Sequence, residues 1–424
     1  MFFNTNTEKY LFFYIPIILF SLLPFFLITG PFLSDLSVSL ISFIFILYCI
    51  KKRNFSFFKN KYFYIFLIFC VYLVINSLIN KVNFNSFGTS LLYVRHGIFV
   101  IAIVALLNTN EKFIDYFFYC IFICFTLLVL DGFYQYFSGE NILGWKRSSR
   151  TSSFFGEEKI LGSYLSRLWP IFFGLSIFVF KQKNNLLILL ILIFILSEVL
   201  IFLSGDRSAF FYINLSAIFI ILFSQKLFKL RLFTLLSSIL VLIVISFINP
   251  TAKERVFDQT LKSMNLTDVQ SEDKTKYIFT KSHHEIYIAA SSMFIDNKIL
   301  GIGVKNYRNK CSDPRYYVNQ KEICYTHPHN TYIQLLSETG LIGFLFILIA
   351  LFYFFKYLFH HLLLRFKRKY YFTDFEICIL SGIAIYLWPI IPTGSVFNNW
   401  LSILMFLNIS FFIWSREKIK HKDV

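Results

Sequence analysis

Of 424 residues, 57% are hydrophobic and 21% aromatic, only 15% are charged, and the formal charge at pH 7 is +17. Soluble domains run nearer half apolar and a quarter charged, so this composition excludes a soluble globular core, a disordered chain, a collagen-like repeat and a small disulfide scaffold. A nucleic-acid binder would gather its cations on one soluble face. Here they fall mostly in short gaps between apolar runs, as orientation signals do in a polytopic membrane protein, and no nucleic-acid partner is expected.

Apolar stretches close to the roughly 20 residues that cross a bilayer recur along the chain. They lie near 10–28, 32–50, 62–79, 91–107, 113–137, 161–180, 186–203, 208–223, 232–248, 331–355, 375–391 and 400–414. The first lacks a small-residue cleavage site and the second follows at once, so it reads as a span and not as a cleaved signal. The expected fold is an all-α polytopic membrane protein of about twelve transmembrane helices with one large helical loop. Residues 1–248 would hold helices 1–9 with short loops, 249–330 the large loop, and 331–424 helices 10–12 and a C-terminal tail.

The charges choose the orientation. With both termini inside, the short inside segments carry 21 Lys and Arg, including the clusters at 51–61, 226–231 and 365–369. The short outside loops carry six: Lys81, Lys146, Arg147, Arg150, Lys159 and Arg207. The positive-inside rule then puts both termini in the cytoplasm. Most of these cations read as solvated, orienting charges. The polar segment 249–330, opened by Asn249-Pro250, and the loop 138–160 fall together on the outside, where loops on a rigid bundle carry chemistry.

Five of the seven Cys (Cys49, Cys70, Cys120, Cys124 and Cys378) lie in or beside apolar spans and read as small buried hydrophobes. Cys311 and Cys324 both fall in the long outside loop, where an oxidising compartment favours a disulfide over two free thiols. That bridge would restrict the unfolded loop by roughly 3 kcal/mol and fix the chain just before His327. No CxxC pair or His/Cys tetrad points to a metal site, so no metal and no cofactor is expected.

Residues 326–343 read Thr-His-Pro-His-Asn-Thr-Tyr-Ile-Gln-Leu-Leu-Ser-Glu-Thr-Gly-Leu-Ile-Gly, at the entry from the long loop into an apolar helix. Asn330, Gln334 and Glu338 fall at i, i+4 and i+8, so one helix face is polar and must look into protein or a wet cavity. Gly340 and Gly343 permit close helix approach. His329 falls at or just before the helix N-terminus, whose positive dipole end favours the neutral imidazole, the form that accepts a proton. The bland alternative is a capping histidine above a structural polar stripe.

Taken with its spacing, His329-Asn330 followed by Gly340-Leu341-Ile342-Gly343 resembles the His-Asn…Gly-x-x-Gly signature of the O-antigen ligase family. The resemblance extends to the stretch Ser204-Gly205-Asp206-Arg207-Ser208-Ala209, to 293–303 before the loop, and to the twelve-span plan. It covers most of the second half of the chain and separates poorly between ligases, polymerases and protein O-oligosaccharyltransferases. It implies transfer of a glycan from undecaprenyl diphosphate to lipid A-core, or to another glycan acceptor, on the periplasmic face of the bacterial inner membrane. His329 would be the general base, with inversion at the anomeric carbon and no metal. His327 and Asn330 would orient the base or acceptor, and Glu338 would support the site or only cap its own helix.

A lipid diphosphate leaves readily once its charge is stabilised, and guanidinium groups fork onto phosphate oxygens. Arg207, in a four-residue outside turn, is the first choice, Arg150 in the other outside loop the second, and Arg167 lies deeper in its span. A second cation from the long loop is undecided: Arg255 is one option, and the segment before Met293 offers Lys281, His283 and His284. Arg95, about four residues into its span, reads instead as an interfacial Arg reaching lipid headgroups. No Asp-x-Asp pair, Walker loop or Gly-x-Ser-x-Gly elbow is present, which argues against nucleotide-sugar transfer, ATP use and serine hydrolysis. The rival from outside enzymology is a transporter of lipid-linked sugar, with Asp131 and Glu198 as its candidate intramembrane acids.

Overall fold

The computed structural model describes residues 6–180, 185–248, 253–267 and 276–422; Lys181, Lys183 and the Asn249-Pro250 step fall outside them. The principal helices are α1 (Ile15–Ser21), α2 (Pro31–Lys51), α3 (Lys61–Ile79), α4 (Phe84–Leu92), α5 (Val94–Thr109), α6 (Lys112–Ser138), α7 (Leu161–Phe180), α8 (Asn185–Leu203), α9 (Arg207–Phe223), α10 (Leu227–Ile248), α11 (Lys281–Asp296), α12 (Thr331–Phe366), α13 (Asp374–Leu387) and α14 (Asn399–Lys422). Among the described residues β-structure is limited to two isolated bridges.

Helices fall on each of the expected apolar stretches, and among the described residues six are long and apolar enough to cross a membrane. The first stretch is broken into short pieces because Pro16 and Pro24 lack the N–H that an uninterrupted helix needs. The expected stretch 375–391 ends early: α13 stops at Leu387, Trp388 turns extended ahead of Pro389, and 388–398 is loop. The outer faces are apolar, with Phe43, Ile68, Leu130, Leu240 and Phe352 more than half exposed, as side chains facing lipid would be.

The packing centre is α7. Tyr164, Leu165, Leu168, Trp169, Ile171, Phe172 and Phe173 are fully buried there, and Trp169 stacks on Phe173 at 4.7 Å between ring centroids. Around it the structure changes the reading of several charges. Arg231 is no orienting surface cation: it is wholly buried, paired with Glu198 at 2.5 Å and lying over the Trp169 ring at 4.2 Å. Its neighbours Lys226 and Lys229 flank an apolar helix face, and sequence alone could not tell which of the three turned inward. Arg95 pairs with Asp35 instead of reaching out alone. Asp131 accepts from the Ile142 amide at 2.9 Å and from the Ser153 hydroxyl, so it anchors the 139–160 loop. Both acids that a transporter would have used are thereby engaged by neighbours.

The expected uninterrupted helix at 331–355 is also revised. Gly340 has φ +63° and ψ −167°, which divides α12 into a polar stub, 331–339, and an apolar rod from Leu341 onward. The segment 297–303 crosses at that break and takes over the lost backbone pairing. Ile302 N donates to Ser337 O, Gly303 N to Glu338 O and Leu341 N to Lys298 O, each at 2.9 Å, and Ile342 N to Ile299 O at 3.4 Å. Only glycines allow this crossing: a Cβ on Gly340 would sit 2.2 Å from Ile299 O, and one on Gly301 2.5 Å from the Glu338 carbonyl carbon.

Candidate functional site

The His-Asn step is built by backbone constraints from two sides. Asn330 caps α12, its side-chain oxygen accepting from Tyr332 N at 3.0 Å and Ile333 N at 3.2 Å. Its Nδ2 donates to Pro389 O at 2.8 Å. With the amide committed at both ends, Asn330 holds the step in place and does not reach outward. His329, one residue earlier, is in the left-handed region at φ +54°, a conformation non-glycine residues adopt at a cost, and Thr393 N donates to its carbonyl at 2.8 Å. The polar stripe turns inward: Gln334 donates to Ser395 Oγ at 2.8 Å and to Glu338 at 3.0 Å, and accepts from Val396 N.

Glu338 is fully buried and accepts from the amides of Lys305 at 3.0 Å and Tyr307 at 3.3 Å. It therefore clamps the loop that follows the glycine crossing and does not cap its own helix. Gly343 lies against Tyr72 of α3, where a Cβ would come within 3.2 Å of the ring, and its own Thr339 would be closer still. Beyond Glu338 the loop closes on a small core of Tyr307, Tyr316, Val318 and Ile323. Cys311 and Cys324 are joined there by a disulfide, with 5.2 Å between their Cα atoms.

Three imidazoles meet above the stub. The rings of His327 and His329 are 4.1 Å apart between centroids, and His283, from the first turn of α11, stands edge-on to His329 at 5.6 Å. His327 is held by Thr326 Oγ1 at 2.9 Å through Nδ1, while its Nε2 is buried without a hydrogen-bond partner. His283 shares a 2.6 Å hydrogen bond with Thr280 Oγ1. Among the described residues the His329 ring makes no hydrogen bond, and Tyr325 covers it edge-on at 5.9 Å.

Burial lowers the pKa of all three. His327 falls to about 3, through burial first and then the neighbouring His329. His283 falls to about 4, through burial, then His329 and Arg207. His329 is lowered by burial alone. All three are neutral at pH 7. Their nitrogens do not converge tightly enough to hold one metal ion; among the described residues the sole Cys/Glu/His/Asp cluster with that geometry is Cys311, Glu322 and Cys324, whose thiols are spent in the disulfide.

Arg207 lies within electrostatic range of His283. It is the first residue of α9, after the turn 204–206, not a member of the turn itself, and Asp206 caps the helix by accepting from Ala209 N. Arg207 Nε donates to Arg255 O at 3.1 Å and Nη2 to Gln259 Oε1 at 3.4 Å. Arg255 in turn donates to Gly205 O at 3.2 Å, and a Cβ at Gly205, where φ is +70°, would strike the Arg255 side chain at 2.6 Å. The structure thus brings Arg255 beside Arg207. Arg150 lies within electrostatic range of both. Burial, followed by the Arg150 charge, depresses the pKa of Arg255. The three guanidinium groups outnumber the one acid, Asp206, that acts on Arg255, and such an excess of positive charge favours anions.

The Arg150 loop is held by α6: Gln135 Oε1 accepts from Ser152 N at 2.8 Å and Ser153 N at 2.7 Å. Among the described residues Arg150, which is half-buried, forms no ion pair with Glu157 or Glu158. Arg167 is set apart from the trio. It is buried in α7 between the rings of Tyr212 and Tyr386, 4.7 Å from each, with one Nη1 unpartnered. Sequence reasoning named His283 only as a stand-in cation and missed the 388–398 loop. Its single visible signal was the pair Pro389 and Pro392, which end a helix at that point.

No curated protein matches the chain. Residues 187–348 match the model of a protein family described as O-antigen ligase. That segment includes Arg207, Arg255, all three imidazoles, Gly340 and Gly343, and stops short of Arg150. The likeness to that family is thus carried by residues 187–348, within a helical scaffold with helices long and apolar enough to cross a membrane.

Proposed function

We propose that the protein transfers a glycan from undecaprenyl diphosphate to a hydroxyl of lipid A-core, on the periplasmic face of the inner membrane, with both termini cytoplasmic and twelve spans, several of them short. The carrying observation is the junction of two chemically different groups: three clustered guanidiniums, and a neutral imidazole trio linked to them through Arg207 and His283.

In this reading the donor diphosphate binds Arg207, Arg255 and Arg150. The acceptor hydroxyl attacks the anomeric carbon from the face opposite the diphosphate, and the carbon–oxygen bond to the phosphate breaks. The electron pair leaves with the diphosphate, whose growing charge the arginines stabilise. The hydroxyl proton passes to His329, and the anomeric configuration inverts. Removing one charge-stabilising donor of this kind typically costs roughly 10²–10³ in rate, and a general base supplies about 10²–10⁴. His327, whose ring lies 4.1 Å from that of His329 between centroids, would orient the base or the acceptor. No step calls for a metal.

The test is transfer by purified protein, with a lipid-linked glycan as donor and lipid A-core as acceptor, in EDTA. Capped core is the expected product, and transfer should collapse in His329→Ala. A metal requirement, or full activity in that variant, would overturn the reading. In a deletion strain, uncapped core would support the ligase assignment, whereas core bearing single repeat units would reassign the protein as a polymerase of the same donor.

A further inference from the structure

A cavity lies apart from Arg207, Arg255, Arg150 and the three imidazoles, none of which lines it. It has a volume of ≈ 530 Å³ and is lined by Asn80, Asp296, Asn297, Lys310, Arg315 and Tyr316 above a floor at Ile302. That size suits a small ligand, for which about 300–1,000 Å³ is usual. The lining offers amide donors and acceptors, a carboxylate, an ammonium and a phenol, which is the mixture that a hydroxyl-rich molecule can satisfy and an alkyl chain cannot.

Its charges are offset. Arg315 is forked onto Asp313, with Nη2 to Oδ2 at 2.6 Å, Lys310 also acts on Asp313, and Asp296 acts on Arg315 and hydrogen-bonds Tyr316. An anion gains little there, so the cleft differs in kind from the arginine cluster. It is also rigidly registered to the reacting centre. Ile302 N donates to Ser337 O in the stub that begins beside His329, and Gly303 packs so closely on Asn80 at the end of α3 that a Cβ would lie 2.9 Å from the Asn80 Cβ.

We propose that this cleft is a subsite for uncharged sugar residues, holding the glycan at a fixed distance from the transfer centre. The assignment rests on the functional reading above and extends it. The full-length protein in detergent is titrated with maltotriose, chitotriose and mannotriose, and binding is read by saturation-transfer NMR. At least one trisaccharide should bind wild type and His329→Ala equally. Lys310→Ala and Arg315→Ala, both exposed positions, should each weaken it tenfold or more with unchanged melting temperature. Binding that survives both substitutions, a preference for trigalacturonate, or no binding by any of the three would overturn the subsite. Because the readout is binding, its failure leaves the transfer assay untouched, and loss of transfer activity leaves the binding result standing.

Discussion

Replacing Gly340 with alanine tests whether the broken helix holds the site together. The new Cβ would lie 2.2 Å from Ile299 O, 2.4 Å from the Ile299 carbonyl carbon and 2.7 Å from Gly301 N, all backbone atoms with no rotamer to escape into. Carbon contacts settle at about 3.5–4.0 Å, so the crossing must open by more than about 1 Å. Four backbone hydrogen bonds span it. At about 1 kcal/mol each, plus about 1 kcal/mol for an alanine at φ +63°, the loss is about 5 kcal/mol. Gly88→Ala is the control, since a Cβ there meets nothing within 4 Å and alanine favours its helix. Thermal unfolding in detergent and hydrogen exchange at the Ile302 and Gly303 amides are the assays. Gly340→Ala should melt far below wild type and expose both amides, with transfer lost. Equal melting of the two variants would refute the claim that this crossing organises the site.

Arg207→Ala and Arg255→Ala should each lower transfer by about 10²–10³, with Lys restoring only part of it because an ammonium cannot fork onto a diphosphate; equal rates for Arg and Lys variants in a donor titration would count against a bidentate role. His329→Ala should cost about 10²–10⁴ in kcat with the fold intact, measured as single-turnover transfer. The buried imidazoles also set a pH response. Their folded pKa values lie below the ordinary 6.5, about 3 for His327 and about 4 for His283, so below pH 6.5 the unfolded chain binds protons that the folded chain refuses. The histidines' contribution to stability should be constant above that pH and fall as it drops toward 5, by at most about 1.4 kcal/mol per histidine per pH unit. His327→Gln and His283→Gln should each flatten the curve in a melting series. Reducing the Cys311–Cys324 bridge should cost about 3 kcal/mol of loop stability, seen as proteolysis within 308–323 under reductant.

Much of this was legible in the residues. Helix positions followed from apolar length, and the inward polar stripe from the i, i+4, i+8 placement of Asn330, Gln334 and Glu338. What escaped depended on tertiary partners. A glycine spacing announces close approach, but not that Gly340 breaks the helix so that 297–303 can thread through it. His283 sits some 46 positions before His329 in the chain, and nothing local says that α11 turns it toward the same point. Arg231 had the same flanking charges as a solvated cation, and only the packing of α8 against α10 put Glu198 opposite it. The 388–398 loop gave little signal because, the Ser395 hydroxyl apart, it acts on the His-Asn step and Gln334 through backbone groups that every residue has.

The anchoring of 297–307 has a consequence for how the molecule can diverge. The glycine crossing and the two amides on Glu338 fix one end of the excursion, and the Cys311–Cys324 staple draws its two limbs together before His327. Between those fastenings Tyr316, Val318 and Ile323 must keep the small core, whereas the exposed residues, Ser312, Arg315, Asn319 and Gln320 among them, form a cassette whose side chains can be traded without retuning the helix that follows His329. Chimeras exchanged at the exposed positions of 312–323 should therefore keep their reaction and inherit the donor enzyme's choice of sugar.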